Sequence, residues 1–314
     1  MQAAPPSSNI RMIAIDMDGT LLGDDGRVSP RNLAALLAAE AAGIEVVIAT
    51  GRRQAYAMPL IAQVSLGENS VMISSNGAVV RGFDGTLLDR RFLPVETARA
   101  LCGLLRGYGT TVFTFDREGS GALVIENMPQ LHARIDRWVD ANRSYLLEVQ
   151  PIERAFDGGE EPIQGMICGT VAQMIEAEKQ LLLSDVAGLI AMHRTEYAAR
   201  NLSILDLLPP GCSKGAALHS LASIRGLERD QIMAIGDNLN DLEMLEYAGH
   251  AVVMANASDE ILALARRRGW EITASNDDDG VALAVEEVLR QTTQDAEGNS
   301  EEQAAGAAVV EFAQ

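Results

Sequence analysis

The 314-residue sequence predicts an α/β fold in which a doubly wound parallel sheet is interrupted by an inserted α+β domain. Short apolar runs of strand length, such as IEVVIA and IMAIGD, alternate with segments of helical periodicity, as in a parallel sheet covered on both faces. Asn76-Gly77 and Asp84-Gly85 then bring hairpin chemistry that plain alternation does not require. The alternating pattern resumes only after Pro209-Pro210-Gly211, which closes the intervening stretch.

Each element has a local reason. Met12 to Ile15 reads as a buried strand. A helix follows with Ser29 as N-cap and Pro30 in its first turn; Leu33, Leu36 and Leu37 are expected inward and Gly43 ends it. Ile44 to Ala49 is the second buried strand, and a helix from about Arg53 leads to the strand VMIS, Val71 to Ser74. The inserted segment, Thr86 to Leu207, should hold a helix at Val95 to Arg106, strands TTVFTF and ALVIE, and a helix near Gln130 to Ala141. A strand at Ile163 to Gly169, a helix at Val171 to Leu183 and two more strands complete it. Ser213 then caps a helix, Ile232 to Asp237 is a buried strand ending in acid, and AVVM and EITAS supply shorter strands. The division expected is a flexible N-terminus over 1–9, core over 10–85, insertion over 86–207, core again over 208–290, and a disordered acidic tail over 291–314.

Composition narrows the function. A formal charge of −19, from 44 acidic against 25 basic residues, argues against a nucleic-acid or anionic-membrane partner, since both need clustered Lys and Arg. No apolar run has the length of a signal peptide or a membrane span, so a soluble, cytoplasmic protein is expected. Cys102, Cys168 and Cys212 are odd in number and far apart, which fits reduced, buried thiols better than a disulfide framework or a zinc site.

In an open parallel sheet, ligands bind outside the carboxyl ends of the strands. That rule gathers Asp16 and Asp18 after the first strand and Thr50 and Gly51 after the second. Asp237, Asn238, Asn240 and Asp241 join them from IMAIGD. Carboxylates so concentrated repel one another unless several are protonated or a cation sits among them; a hard divalent cation is the simplest resolution, and magnesium suits a few carboxylates completed by water and phosphate oxygens. An EF-hand does not fit, because Leu21 and Arg27 stand where its turn glycine and bidentate glutamate belong. Lysine use adds a second signal: of the 25 basic residues only Lys179 and Lys214 are lysine. Lys179 lies among Glu176 and Glu178 and reads as a surface pair. Lys214 begins a helix, where the dipole disfavours a cation unless it serves an anion there, so it is expected to reach a phosphate.

DMDGT at Asp16 to Thr20, ATGR at Ala49 to Arg52, SKG at Ser213 to Gly215 and GDNLND at Gly236 to Asp241 resemble the four ordered motifs of the haloacid dehalogenase-like phosphohydrolases. SSNGA at Ser74 to Ala78 and SNDDDGVA at Ser275 to Ala282 resemble the Cof-type subfamily, and the likeness spans about Arg11 to Arg290. Met17 and the run VVMANA at Val252 to Ala257 are its departures. The resemblance implies a Rossmann-like core with an α/β cap over the site. It also implies a Mg2+-dependent phosphatase acting on small phosphorylated metabolites through an aspartyl-phosphate. On that basis Asp16 is the nucleophile and Asp18 the general acid and base. Asp16, the backbone carbonyl of Asp18, and Asp237 hold the metal; Thr50, Gly51, Lys214 and Asn240 serve the phosphate; Asp241 supports Lys214 or a metal-bound water. A phosphotransferase or phosphomutase shares this machinery, and a non-catalytic phosphometabolite-binding protein would lack Asp16 or Asp18. Dehalogenation would need neither Asp18 nor Asp237 with a metal. Arg117, Glu118 and Arg134 are candidate selectors of the substrate from the cap.

Overall fold

The computed structural model describes residues 9–64, 66–67, 70–197 and 200–291. The segments read as a flexible N-terminus and an acidic tail lie, apart from Asn9 and Gln291, outside the described residues. In chain order the structure begins with β1 (Met12–Asp16), α1 (Pro30–Ala41), β2 (Glu45–Ala49), α2 (Gln54–Ile61), β3 (Val71–Ser74), β4 (Val79–Gly82) and β5 (Leu87–Arg90). Next come α3 (Val95–Leu105), β6 (Thr110–Thr114), β7 (Leu123–Ile125), α4 (Met128–Asn142), β8 (Leu146–Glu148), β9 (Gln164–Gly169), α5 (Val171–Leu182), β10 (Ala191–Tyr197) and β11 (Leu202–Leu208). The chain closes with α6 (Lys214–Arg225), β12 (Ile232–Gly236), α7 (Leu242–Tyr247), β13 (His250–Val253), α8 (Asp259–Arg268), β14 (Glu271–Ile272) and a helix α9 over 280–291.

The larger sheet runs β14-β13-β12-β1-β2-β3-β4-β5. Its pairs are parallel from β14 to β3, and β4 and β5 add an antiparallel edge through the Asn76-Gly77 hairpin. Alternation along the strands explains the double winding. Ile13, Ile15, Val46, Ile48, Met233 and Ile235 face α1, α2 and α9, while Met12, Ala14, Val47, Ala49, Ile232 and Ala234 face α6, α7 and α8. Ser29 caps α1 as its sequence predicts, its Oγ accepting from Asn32 N at 3.0 Å. Leu36 is buried, but Leu37 is 39% exposed, contrary to its expected inward placement; Asn32, Ala35 and Ala39 complete the inner stripe instead.

The second sheet runs β10-β11-β9-β6-β7-β8 and is antiparallel except between β7 and β8. α3 and α5 cover one of its faces. α4 covers part of the other and leaves the rest toward the carboxyl edge of the larger sheet. β5, which the sequence reading put inside the insertion, pairs with β4, so the crossing between sheets follows Arg90. All three cysteines are free and buried. Among the described residues no helix is long and apolar enough to cross a membrane.

Candidate active site

Strand register builds the site. Asp16 ends β1 opposite Ala49 of β2, and Ile15 pairs with Ile235 of β12, so the residues after all three strands meet at one edge. Thr20 Oγ1 donates to Asp237 Oδ1 at 3.0 Å. Gly19 turns the chain there with φ +81°, and a Cβ on it would stand 2.6 Å from Asp237 Oδ2, so only glycine fits. Gly236 is needed for a different reason: its Cβ would come within 2.7 Å of Asp241 Cβ.

Lys214 opens α6 behind the Ser213 cap and is buried. Its Nζ donates to Asp16 Oδ1, and to Asp241 Oδ1 at 2.6 Å. Asp241 Oδ2 accepts from the backbone N–H groups of Asp237 and Asn238 at 3.1 and 3.0 Å. Asp16, Asp237 and Asp241 offer carboxylate oxygens all within 4.8 Å of one another, a group that could hold a divalent cation.

The charges do not balance by themselves. Burial first, then Asp241, raises the Asp16 carboxyl well above its usual range despite the pull of Lys214. Burial and Asp241 likewise push Asp237 up to about 7, against the Thr20 hydroxyl and Lys214. Burial disfavours the Lys214 cation, yet Asp16 and Asp241 hold its pKa above the usual range, so the ammonium stays charged. One lysine is too little positive charge for this many carboxylates, and the donor set is all oxygen. Both facts fit a hard divalent cation.

Asp18 is not drawn into that cluster by its side chain. Arg52 grips it in a two-pronged pair, Nε to Oδ2 at 2.7 Å and Nη2 to Oδ1. Thr50 is buried, and its Oγ1 accepts from Arg52 N at 3.1 Å. A Cβ on Gly51 would lie 3.0 Å from the Asn76 amide, so Gly51 gives Asn76 its room. Asn240, expected to serve the phosphate, lines the same cavity and donates to Asn76 Oδ1 at 3.2 Å. Asn76 in turn donates from Nδ2 to Asp206 Oδ2 at 3.1 Å, and Gln164 donates to Asp206 Oδ1 at 2.7 Å. Arg52 and Asn76 both lie inside motifs that carry the family resemblance, ATGR and SSNGA, without a role assigned to either, and nothing in the sequence around Asp206 and Gln164 marks them. The one clue was the dipeptide Asn76-Gly77, which allows the positive φ of 52° that turns the amide inward.

A family model described as haloacid dehalogenase-like hydrolase matches residues 13–285. The chain belongs to the haloacid dehalogenase-like hydrolases. This hydrolase is 30% identical to the 5-amino-6-(5-phospho-D-ribitylamino)uracil phosphatase YwtE of Bacillus subtilis, over 89% of this chain and 98% of that protein. It is 31% identical to the HMP-PP phosphatase of Serratia proteamaculans, over 81% of this chain and 87% of that one. Among solved structures, a haloacid dehalogenase-like hydrolase from Bacteroides thetaiotaomicron is 28% identical with a TM-score of 0.73, covering 89% of this chain and 99% of that chain.

In this hydrolase the second sheet roofs the carboxylates and encloses a cavity of about 280 Å³. Val112, Leu123, Met166, Ile204 and Trp138 give it apolar walls, while Asn142 and Thr195 add polar points. Arg117, Glu118 and Arg134, the selectors the sequence suggested, do not line this cavity, although Arg117 and Glu118 line a neighbouring one. Arg117 is spent on Gly121 O and Glu160, and Arg134 is exposed.

Asp206 couples roof and core and has its own acid-base signature. Burial pushes its carboxyl up to about 6, although Gln164 and Asn76 both donate to the anion. A folded pKa above the ordinary carboxylate value means the native state binds the proton more tightly. The group's stabilisation is therefore complete below that ordinary value and is lost as pH rises through about 6. Asp206→Asn should gain on the parent protein by up to about 3 kcal/mol between about pH 4 and pH 7. Paired urea unfolding curves across that range check this, and a pH-independent difference would contradict it.

Proposed function

We propose that the chain is a magnesium-dependent phosphatase that hydrolyses small phosphorylated metabolites through an aspartyl-phosphate on Asp16. The observation that carries this reading is the buried Lys214 clasped between Asp16 and Asp241, beside a carboxylate group one lysine cannot neutralise. The relatives named for phosphate esters support the substrate class.

Asp16 attacks phosphorus as a carboxylate, and the bond to the leaving oxygen breaks as Asp18 hands that oxygen a proton. Water then attacks the phosphorus of the aspartyl-phosphate, Asp18 takes the water proton, and Asp16 is regenerated. Thr50 hydrogen-bonds the phosphoryl group and Lys214 supplies its counter-charge, while Gly51 and Asn240 shape the pocket through Asn76. Both Asp241 oxygens are engaged by Lys214 and backbone N–H groups, which leaves Asp16 and Asp237, with the Asp18 carbonyl, to hold the metal. Bound there, magnesium would offset the carboxylate repulsion and draw charge from the phosphoryl oxygens. Three free, buried thiols and the acidic balance are consistent with a cytoplasmic enzyme that has no nucleic-acid partner.

Hydrolysis of para-nitrophenyl phosphate should vanish in chelator and return on adding magnesium. Full activity in excess chelator would sink the metal-dependent reading.

A further inference from the structure

We propose that Arg53 is a specificity-determining residue that binds a carboxylate-like oxygen group on the leaving portion of the substrate; the inference rests on the phosphatase reading. Arg53 forms a wall shared by the cavity over Asp16 and a neighbouring cavity of about 550 Å³. The other arginines of these two cavities are all committed. Arg52 holds Asp18, Arg81 holds Gln54 and Asp116, Arg90 holds Asp116, and Arg117 holds Gly121 O and Glu160. Arg53 differs. Its Nε and one terminal nitrogen, Nη2, are buried without a hydrogen-bond partner among the described residues.

Buried N–H donors are almost always paired, so two unpaired ones on a guanidinium that lines both cavities make Arg53 the arginine there with donors to spare for an incoming acceptor. The guanidinium lies 3.7 Å from the centre of the Tyr145 ring. Contact with Tyr145 pairs neither Nε nor Nη2, and those two N–H groups share the edge of the guanidinium that a carboxylate's two oxygens match. Charge supports the same choice. The walls carry Asp16, Asp18 and Asp206, so an anionic leaving group is repelled everywhere except beside the arginines, and Arg52 is already paired.

The alternative is that Arg53 merely pins Tyr145 of the roof to the core. Phenyl phosphate and its 2-, 3- and 4-carboxy derivatives distinguish the two roles. At least one carboxy ester should exceed phenyl phosphate by about tenfold in kcat/KM, as expected for a charge-assisted hydrogen-bonded pair. Arg53→Met, which keeps the stem over Tyr145 but no donor, should collapse that preference toward one, chiefly through KM. Arg53→Lys, which keeps charge but not the fork, should fall between. Equal loss on all four esters, an unchanged preference, or no preference in the parent protein would overturn the proposal while leaving the phosphatase reading intact. If none of the esters is hydrolysed in a manner abolished by Asp16→Asn, the phosphatase reading falls, and this proposal with it.

Discussion

Asp16→Asn should lower phosphatase turnover by about 10⁴-fold or more while the chain still unfolds in one cooperative transition. The amide is nearly isosteric with the carboxylate and keeps an acceptor for Lys214, but it has almost no nucleophilicity toward phosphorus. Stability should change little because two effects oppose each other. Lys214 loses one anionic partner and keeps Asp241, while the crowding of carboxylates that raises the Asp16 and Asp237 pKa values is relieved. Initial rates on an aryl phosphate, beside thermal unfolding, test both halves. Retained turnover would place the nucleophile elsewhere.

Asp18→Asn should show an effect that depends on the leaving group. A sugar alkoxide leaves poorly unless protonated, whereas para-nitrophenolate leaves unaided. Single-turnover phosphorylation of Asp16 should therefore fall by about 10² to 10⁴ for a sugar phosphate and far less for the aryl ester. Dephosphorylation should slow too, since the proposed base for the attacking water is the same group, and phosphoenzyme should accumulate from the aryl substrate. The variant also loses the ion pair to Arg52, so the 52 side chain must be controlled for. Arg52→Gln alone should not produce the leaving-group dependence. Equal loss on both esters without trapped phosphoenzyme would assign Asp18 to shaping the loop.

The legible part of this protein is the part written in local chemistry. Apolar runs announced β1, β2 and β12, and acid directly after two of them marked the strand ends where the site lies. The rarity of lysine sets Lys214 apart in the sequence, and the fold buries it. What stayed hidden depends on tertiary approach. Asp206 lies far along the chain from Asn76, and nothing beside it in sequence says that the roof will press its carboxyl against that amide. Leu37 failed for a simpler reason: a third leucine on a helix of modest amphipathicity can turn outward when Asn32, Ala35 and Ala39 already fill the inner stripe. Arg53 could not be told from Arg52, because only the folded cavity shows that one is spent and the other is not.

The pairing of β1 with β12 bears on how the enzyme comes into being. Thr20 and Asp237, joined by a side-chain hydrogen bond, are 217 residues apart, and the whole roof is synthesised between them. As the chain leaves the ribosome, β1 can recruit β2 and β3 early, but its other edge stays unsatisfied, an apolar parallel edge without its neighbour. The roof segment, contiguous in sequence, can collapse on its own in that interval and shorten the effective loop that must close. Only when residues 232–236 insert beside β1 do Asp237, Asp241 and Lys214 reach Asp16. Assembly of the buried carboxylate cluster is thus a late event in biogenesis, and an incomplete chain holds Asp16 without Lys214, Asp237 and Asp241 around it.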